Sequence, residues 1–176
     1  DLPGNIIAET KKIQQEIKKE NLFYGKYTEK NNIHLTLKFL GEINKETVEE
    51  TRKRLRNITF PSFKVQLEKL GVFSKKFIRI LWLELGPENV HKLQQTIDHH
   101  LQDLFEKENR FMSHITIARV KNVKERRKLL DLVAKKEISD IKGEVNSFSL
   151  MRSTLTEKGP IYEIIEKYPL SHEPIK

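Results

Sequence analysis

A chain of 176 residues, 37% hydrophobic and 33% charged, has material for one sizeable core. The absence of cysteine and the scattered glycines and prolines exclude disulfide-stapled, collagenous and disordered classes. No apolar run approaches the roughly 20 residues of a membrane span, and "DLPGNIIAETKK" lacks the basic-then-apolar layout of a signal peptide, so the default expectation is a cytoplasmic monomer. A net charge of +8 with a pI near 9.5 favours polyanionic partners.

In chain order, Ile6, Ile13 and Ile17 recur at helical spacing and predict an amphipathic helix over 5–20. "NNIHLTLKFLGE" then alternates, with Ile33, Leu35, Leu37 and Phe39 on one face and His34, Thr36 and Lys38 on the other, the pattern of a strand. Asn44 is placed to cap a helix through Leu55, and Pro61 follows it. "SFKVQLEKLGVF" and "FIRILWLELG" read as a hairpin around "SKK", closed by Gly86 and Pro87. A helix over 88–106 follows, then a strand, "SHITIARVK". Asn122 is expected to start the next helix, with Glu125 completing a capping box. "EVNSFSLMRSTLT" and "IYEIIEKYPL" flank the Gly159-Pro160 turn signal.

Both halves therefore read helix, motif strand, helix, hairpin, and the whole of 1–176 is expected to form one α+β domain of two pseudo-symmetric lobes facing a central groove. Pro3 aligns with Pro87 and Asn5 with Asn89, so the repeat predicts a strand ahead of Asp1, the counterpart of 77–84.

The motif strands share His-apolar-Thr-apolar, with His34 and His114 separated by 80 residues (114 − 34). Packing explains the repeated apolar positions but not identical polar residues on the other face, where two imidazoles and two hydroxyls would converge. An imidazole has an ordinary pKa of about 6.5, so near neutral pH one can accept a proton while its partner donates one. Such a pair suits in-line displacement at phosphorus, with the Thr36 and Thr116 hydroxyls donating to non-bridging oxygens. No cofactor is then needed. Neither motif contains a carboxylate or cysteine, so a zinc or iron site would lack its usual third ligand. His91, His99, His100 and His172 are assigned no role.

On these residues the chain resembles the two-histidine phosphoesterase superfamily and, more narrowly, the RNA 2′,3′-cyclic phosphodiesterases formerly called 2′-5′ RNA ligases. "NIHLTLKFLGE" and "HITIARVK" supply the motif pair, and "GVFSKKFIRILW" and "STLTEKGPIYE" resemble the segments that accompany it. The resemblance implies hydrolysis of an RNA terminal 2′,3′-cyclic phosphate to a 2′-phosphate. It gives His34 as proton donor to the leaving 3′ oxygen, His114 as proton acceptor from water, and Thr36 and Thr116 as phosphate ligands. The reverse joining of a cyclic phosphate end to a 5′-hydroxyl would use the same groups.

Arg119 occupies the family's phosphate-binding position, yet strict alternation puts it opposite His114; either the strand bulges near Ala118 or Arg119 lies outside the site. Phe73 suits base stacking or core packing alike. Lys75, Lys76, Arg79, Arg152 and Lys158 form a candidate RNA track, with Arg79 and Arg152 preferred. Competing readings are a phosphodiesterase for another substrate, such as 2′-5′ oligoadenylate, and a non-catalytic basic RNA-binding module.

Overall fold

The computed structural model describes residues 1–157 and 159–171; Lys158 and His172 lie outside them. Helix α1 (Gly4–Glu20) buries Ile6, Ile13 and Ile17 and ends at Asn21, whose left-handed backbone (φ 53°) turns the chain. Strand β1 (Phe23–Tyr27) follows, then a 3₁₀ turn (Lys30–Asn32) and the first motif. Helix α2 (Lys45–Arg56) opens at Asn44, whose side chain accepts from Thr47 N at 2.8 Å. Strands β2 (Phe63–Val72) and β3 (Ile80–Gly86) form the first hairpin. Helix α3 (Asn89–Leu101), strand β4 (His114–Val123), helix α4 (Arg126–Lys135) and strand β5 (Lys142–Val145) come next, and β6 (Ser147–Thr156) and β7 (Gly159–Pro169) close the chain.

The architecture is α+β. An antiparallel sheet runs β1-β4-β3-β2-β5, and β6-β7 forms a separate two-stranded ribbon. The large sheet buries one face. Leu81, Leu83, Ile115, Ile117 and Ala118 have 0% exposure there, and α1 is fastened to the same face by Gln14, whose Nε2 donates to Ile117 O at 2.7 Å. The ribbon is held to α2 by Glu166, whose oxygens accept from Arg52 Nε and Arg56 Nε, both at 2.6 Å. Those guanidiniums, Arg56 first, pull the Glu166 carboxyl down to about 2. No helix among the described residues is long and apolar enough to cross a membrane.

Four expectations change. The first motif is not a regular strand: a single bridge, Leu35 to Ile115, ties it to β4, and beyond it the chain peels away, leaving Phe39 82% exposed. The two sheets are unequal, because β5 joins the large sheet through β2 before the chain crosses to the ribbon at Asn146, splitting what read as one strand. Helix α4 starts at Arg126 rather than Asn122, because Asn122 and Val123 pair with Tyr24 and Phe23. The ladder outweighs the capping signal. Strand β1 itself was not foreseen, its Gly25 and Lys26 hiding a five-residue edge.

Candidate active site

The second motif is built into the middle of the sheet. Ile115 and Ile117 point into the core, which turns His114 and Thr116 to the opposite face. The first motif lies against the β1 side of β4, and the antiparallel bridge at Leu35 and Ile115 sets His34 across from Thr116 and Thr36 across from His114. The four polar residues thus form two adjacent rows, side by side rather than on opposed strands.

Both imidazoles are oriented alike. His34 Nδ1 lies 2.8 Å from Asn32 O, and His114 Nδ1 lies 2.8 Å from Met112 O, each two residues upstream. A carbonyl only accepts, so Nδ1 carries the hydrogen in both rings and Nε2 is the nitrogen left for other partners. His34 Nε2 is 3.1 Å from Thr36 Oγ1. With His34 neutral, the Thr36 hydroxyl donates; with His34 protonated, the direction reverses.

Each ring also has an aromatic edge against it, contributed by a hairpin. Phe73, just past the end of β2, meets His114 at a centroid distance of 5.1 Å and an interplanar angle of 86°. Tyr162, on β7, meets His34 at 4.8 Å and 61°. Phe73 also touches Trp82 and stays 53% exposed, so it sits at the edge of the core with part of its ring open. Tyr162 escaped the sequence reading because its segment resembled the family only as a whole. Its alternation with Pro160 and Ile164 along β7 was the available signal.

Arg119 reaches the histidine face through a bulge. Thr116 pairs with Trp82 and Ala118 with the adjacent Leu81, so Ile117 is an extra residue. Ile117 and Ala118 are consecutive and both buried, and the alternation restarts with Arg119 exposed on the same face as His114 and Thr116. Its guanidinium has no ion pair or hydrogen bond among the described residues. Arg79 is exposed at the start of β3, donating to Lys121 O at 3.2 Å. Arg152 pairs with Glu163 across the ribbon at 3.7 Å, on the face opposite Tyr162, and is therefore turned away from His34. Lys75 and Lys76 sit exposed in the β2-β3 connection, away from any ladder.

Two side chains anchor the first motif in place of a ladder. Asn32 Nδ2 donates to Pro160 O of β7 at 3.2 Å while its own carbonyl orients His34. Lys38, on the same alternating face as His34 and Thr36, inserts its ammonium between Asp98 of α3 and Glu106 O. Both partners of that ion pair are buried, at 6% and 5% side-chain exposure. Burial raises the Asp98 pKa, but bonds from Lys38, Gln94 and Glu108 N outweigh it and hold the carboxyl below its ordinary range. Neither anchor was foreseen, since a partner 60 residues away leaves no local pattern. Among the described residues, no group of three or more His, Asp or Glu gathers as a metal site.

The LigT-like phosphoesterase family matches residues 1–82 and 84–162. The chain belongs to that family. It is 34% identical over 171 residues to an RNA 2′,3′-cyclic phosphodiesterase of Methanocaldococcus jannaschii, covering 96% of each protein. It is 30% identical to the protein of the same name from Methanothermobacter thermautotrophicus, covering 97% of this chain and 95% of the relative. Its fold matches the crystal structure of TT0787 of Thermus thermophilus with a TM-score of 0.80 at 23% identity, covering 98% of this chain and 96% of that one. As a member of this family, the chain is a phosphoesterase.

Proposed function

We propose that the chain hydrolyses the terminal 2′,3′-cyclic phosphate of RNA to a 2′-phosphate by acid-base catalysis between His34 and His114, without a metal. The observation that carries this reading is the matched anchoring of the imidazoles: each spends Nδ1 on a carbonyl and keeps Nε2 for proton transfer. The names of the relatives support the substrate class.

In the reaction, His114 Nε2 takes a proton from the attacking water as its oxygen bonds to phosphorus. The bond from phosphorus to the 3′ oxygen breaks, and His34 Nε2–H supplies the proton that oxygen needs. The dyad ends with its protonation exchanged, and solvent restores it. Substrate entry must break the contact between His34 and Thr36, freeing the hydroxyl for a non-bridging oxygen and Nε2–H for the leaving group. Thr116 and Arg119 donate to the same phosphate, whose charge grows in the transition state. With a 5′-hydroxyl in the place of the attacking water, the same steps form a 2′-5′ linkage.

The test is incubation of an oligoribonucleotide ending in a 2′,3′-cyclic phosphate with the protein in EDTA. A 2′-phosphate product, lost in both His34→Ala and His114→Ala, is the expected result. Loss of turnover on chelation would overturn the metal-free dyad. Turnover confined to 2′-5′ oligoadenylate would redirect the substrate, and RNA binding without turnover of either would leave a binding module.

A further inference from the structure

The groove does not stop at the paired histidines. Along β4 the outward positions run His114, Thr116 and, after the bulge, Arg119. Along its β1 flank the corresponding positions are Thr36, His34 and Lys26, because Lys26 pairs with Arg119. The next row of the groove is therefore a lysine directly across from an arginine. From Thr116 to Arg119 is about 10 Å at 3.3 Å per residue, less at the bulge, a step of nucleotide size.

Like charges directly opposite each other in a ladder oppose strand pairing, so an anion set between them would relieve a repulsion built into the sheet. Lys26 meets Glu29 at 3.3 Å with both side chains well exposed, the kind of contact that a phosphate can displace at little cost. Tyr27 and Ala118, the neighbouring pair, face the core, so Lys26 and Arg119 face outward together. The ribbon overhangs the same spot: Lys26 Nζ lies 3.5 Å from where a β-carbon on Gly159 would stand. With the long Arg119 side chain reaching back to the reacting phosphate, a polyanion strung along this groove meets Lys26 one step beyond the histidines.

We infer that Lys26 binds the phosphodiester that precedes the terminal cyclic phosphate, making an RNA chain, rather than a cyclic mononucleotide, the preferred substrate. This rests on the function proposed above. The acceptor is a single-strand phosphate, read without regard to base.

The experiment compares the wild type with Lys26→Gln and Lys26→Arg on a 2′,3′-cyclic mononucleotide and on an oligoribonucleotide with the same end. The expected result is that Lys26→Gln cuts the preference for the oligonucleotide about tenfold, through KM, with Lys26→Arg restoring most of it. The salt dependence of oligonucleotide binding should lose a slope of about 1, the loss expected for one phosphate contact. An equal loss on both substrates would overturn the assignment by placing Lys26 on the reacting phosphate, and no loss on either would remove it from the site. Fluorescence anisotropy with an inert oligoribonucleotide carrying a 3′-phosphate reads the same contrast without turnover. If the wild type cleaves neither substrate, the function fails while the binding data still decide Lys26.

Discussion

The two His-x-Thr segments share a pattern and differ in how the fold holds them. β4 sits between β1 and β3 and is fixed by ladders on both sides. The first motif touches β4 at one bridge and depends on its side chains at either end. The fourth residue after each histidine shows the contrast. After His114 it is Ala118, fully buried and paired to Leu81; after His34 it is Lys38, locked to Asp98 of a helix. Equivalent placement of an imidazole can therefore come from backbone cooperativity or from a buried ion pair, and the second is the more vulnerable to a single substitution.

The largest expected effect probes what the segments share. His34→Ala and His114→Ala should each lower kcat by about 10² to 10⁴, the range for a lost general acid or base, with unchanged unfolding transitions. Losses differing by several orders of magnitude would show that the anchoring is matched but the work is not.

Next comes what they do not share. Lys38→Met leaves a buried carboxylate without its cation and should cost about 3–5 kcal/mol in urea unfolding. Adding Asp98→Asn should recover much of that, since the uncompensated charge then disappears. The acid limb gives a second reading. Asp98 has a native pKa below its unfolded value near 3.9, so its contribution is complete above about pH 4 and lost as pH falls further. The wild type should shed stability through that window more steeply than Asp98→Asn.

Hydrogen exchange tests the difference without substitution. Amides of 37–40 should exchange roughly a hundredfold faster than those of 115–120, because local opening of a segment with one bridge disrupts little else. Equal protection would mean that the first motif is held as a strand after all. The smallest effect belongs to Asn32→Ala, which removes the amide bond to Pro160 O but keeps the carbonyl that orients His34. About 1 kcal/mol of stability should be lost, together with a modest fall in kcat.

Much of this arrangement was legible in the sequence where the information is local. Helical spacing gave α1, the cap at Asn44 gave α2, and the repeat brought two histidines to one place. The bulge was legible only as a choice between two outcomes, since nothing in "ITIARV" says which residue is extra; the pairing with Leu81 and Trp82 decides it. The strand assigned to the first motif failed because alternation reports which face is apolar, not whether a neighbour exists to complete a ladder. Lys26, Lys38 and Tyr162 lay beyond reach because their meaning comes from contacts across the fold.

Ile117 acts as a parity switch. With every residue kept and no bulge, β4 would run in strict two-residue rhythm from Thr116, sending the Arg119 guanidinium toward the apolar core and Val120 out to water. The inversion would continue through Lys121 and Asn122 toward β1. A one-codon deletion inside a core strand is commonly disruptive, but removing Ile117 or Ala118 would take out the extra residue itself, leaving Arg119 toward the groove and Val120, now at 5% exposure, still packed inside.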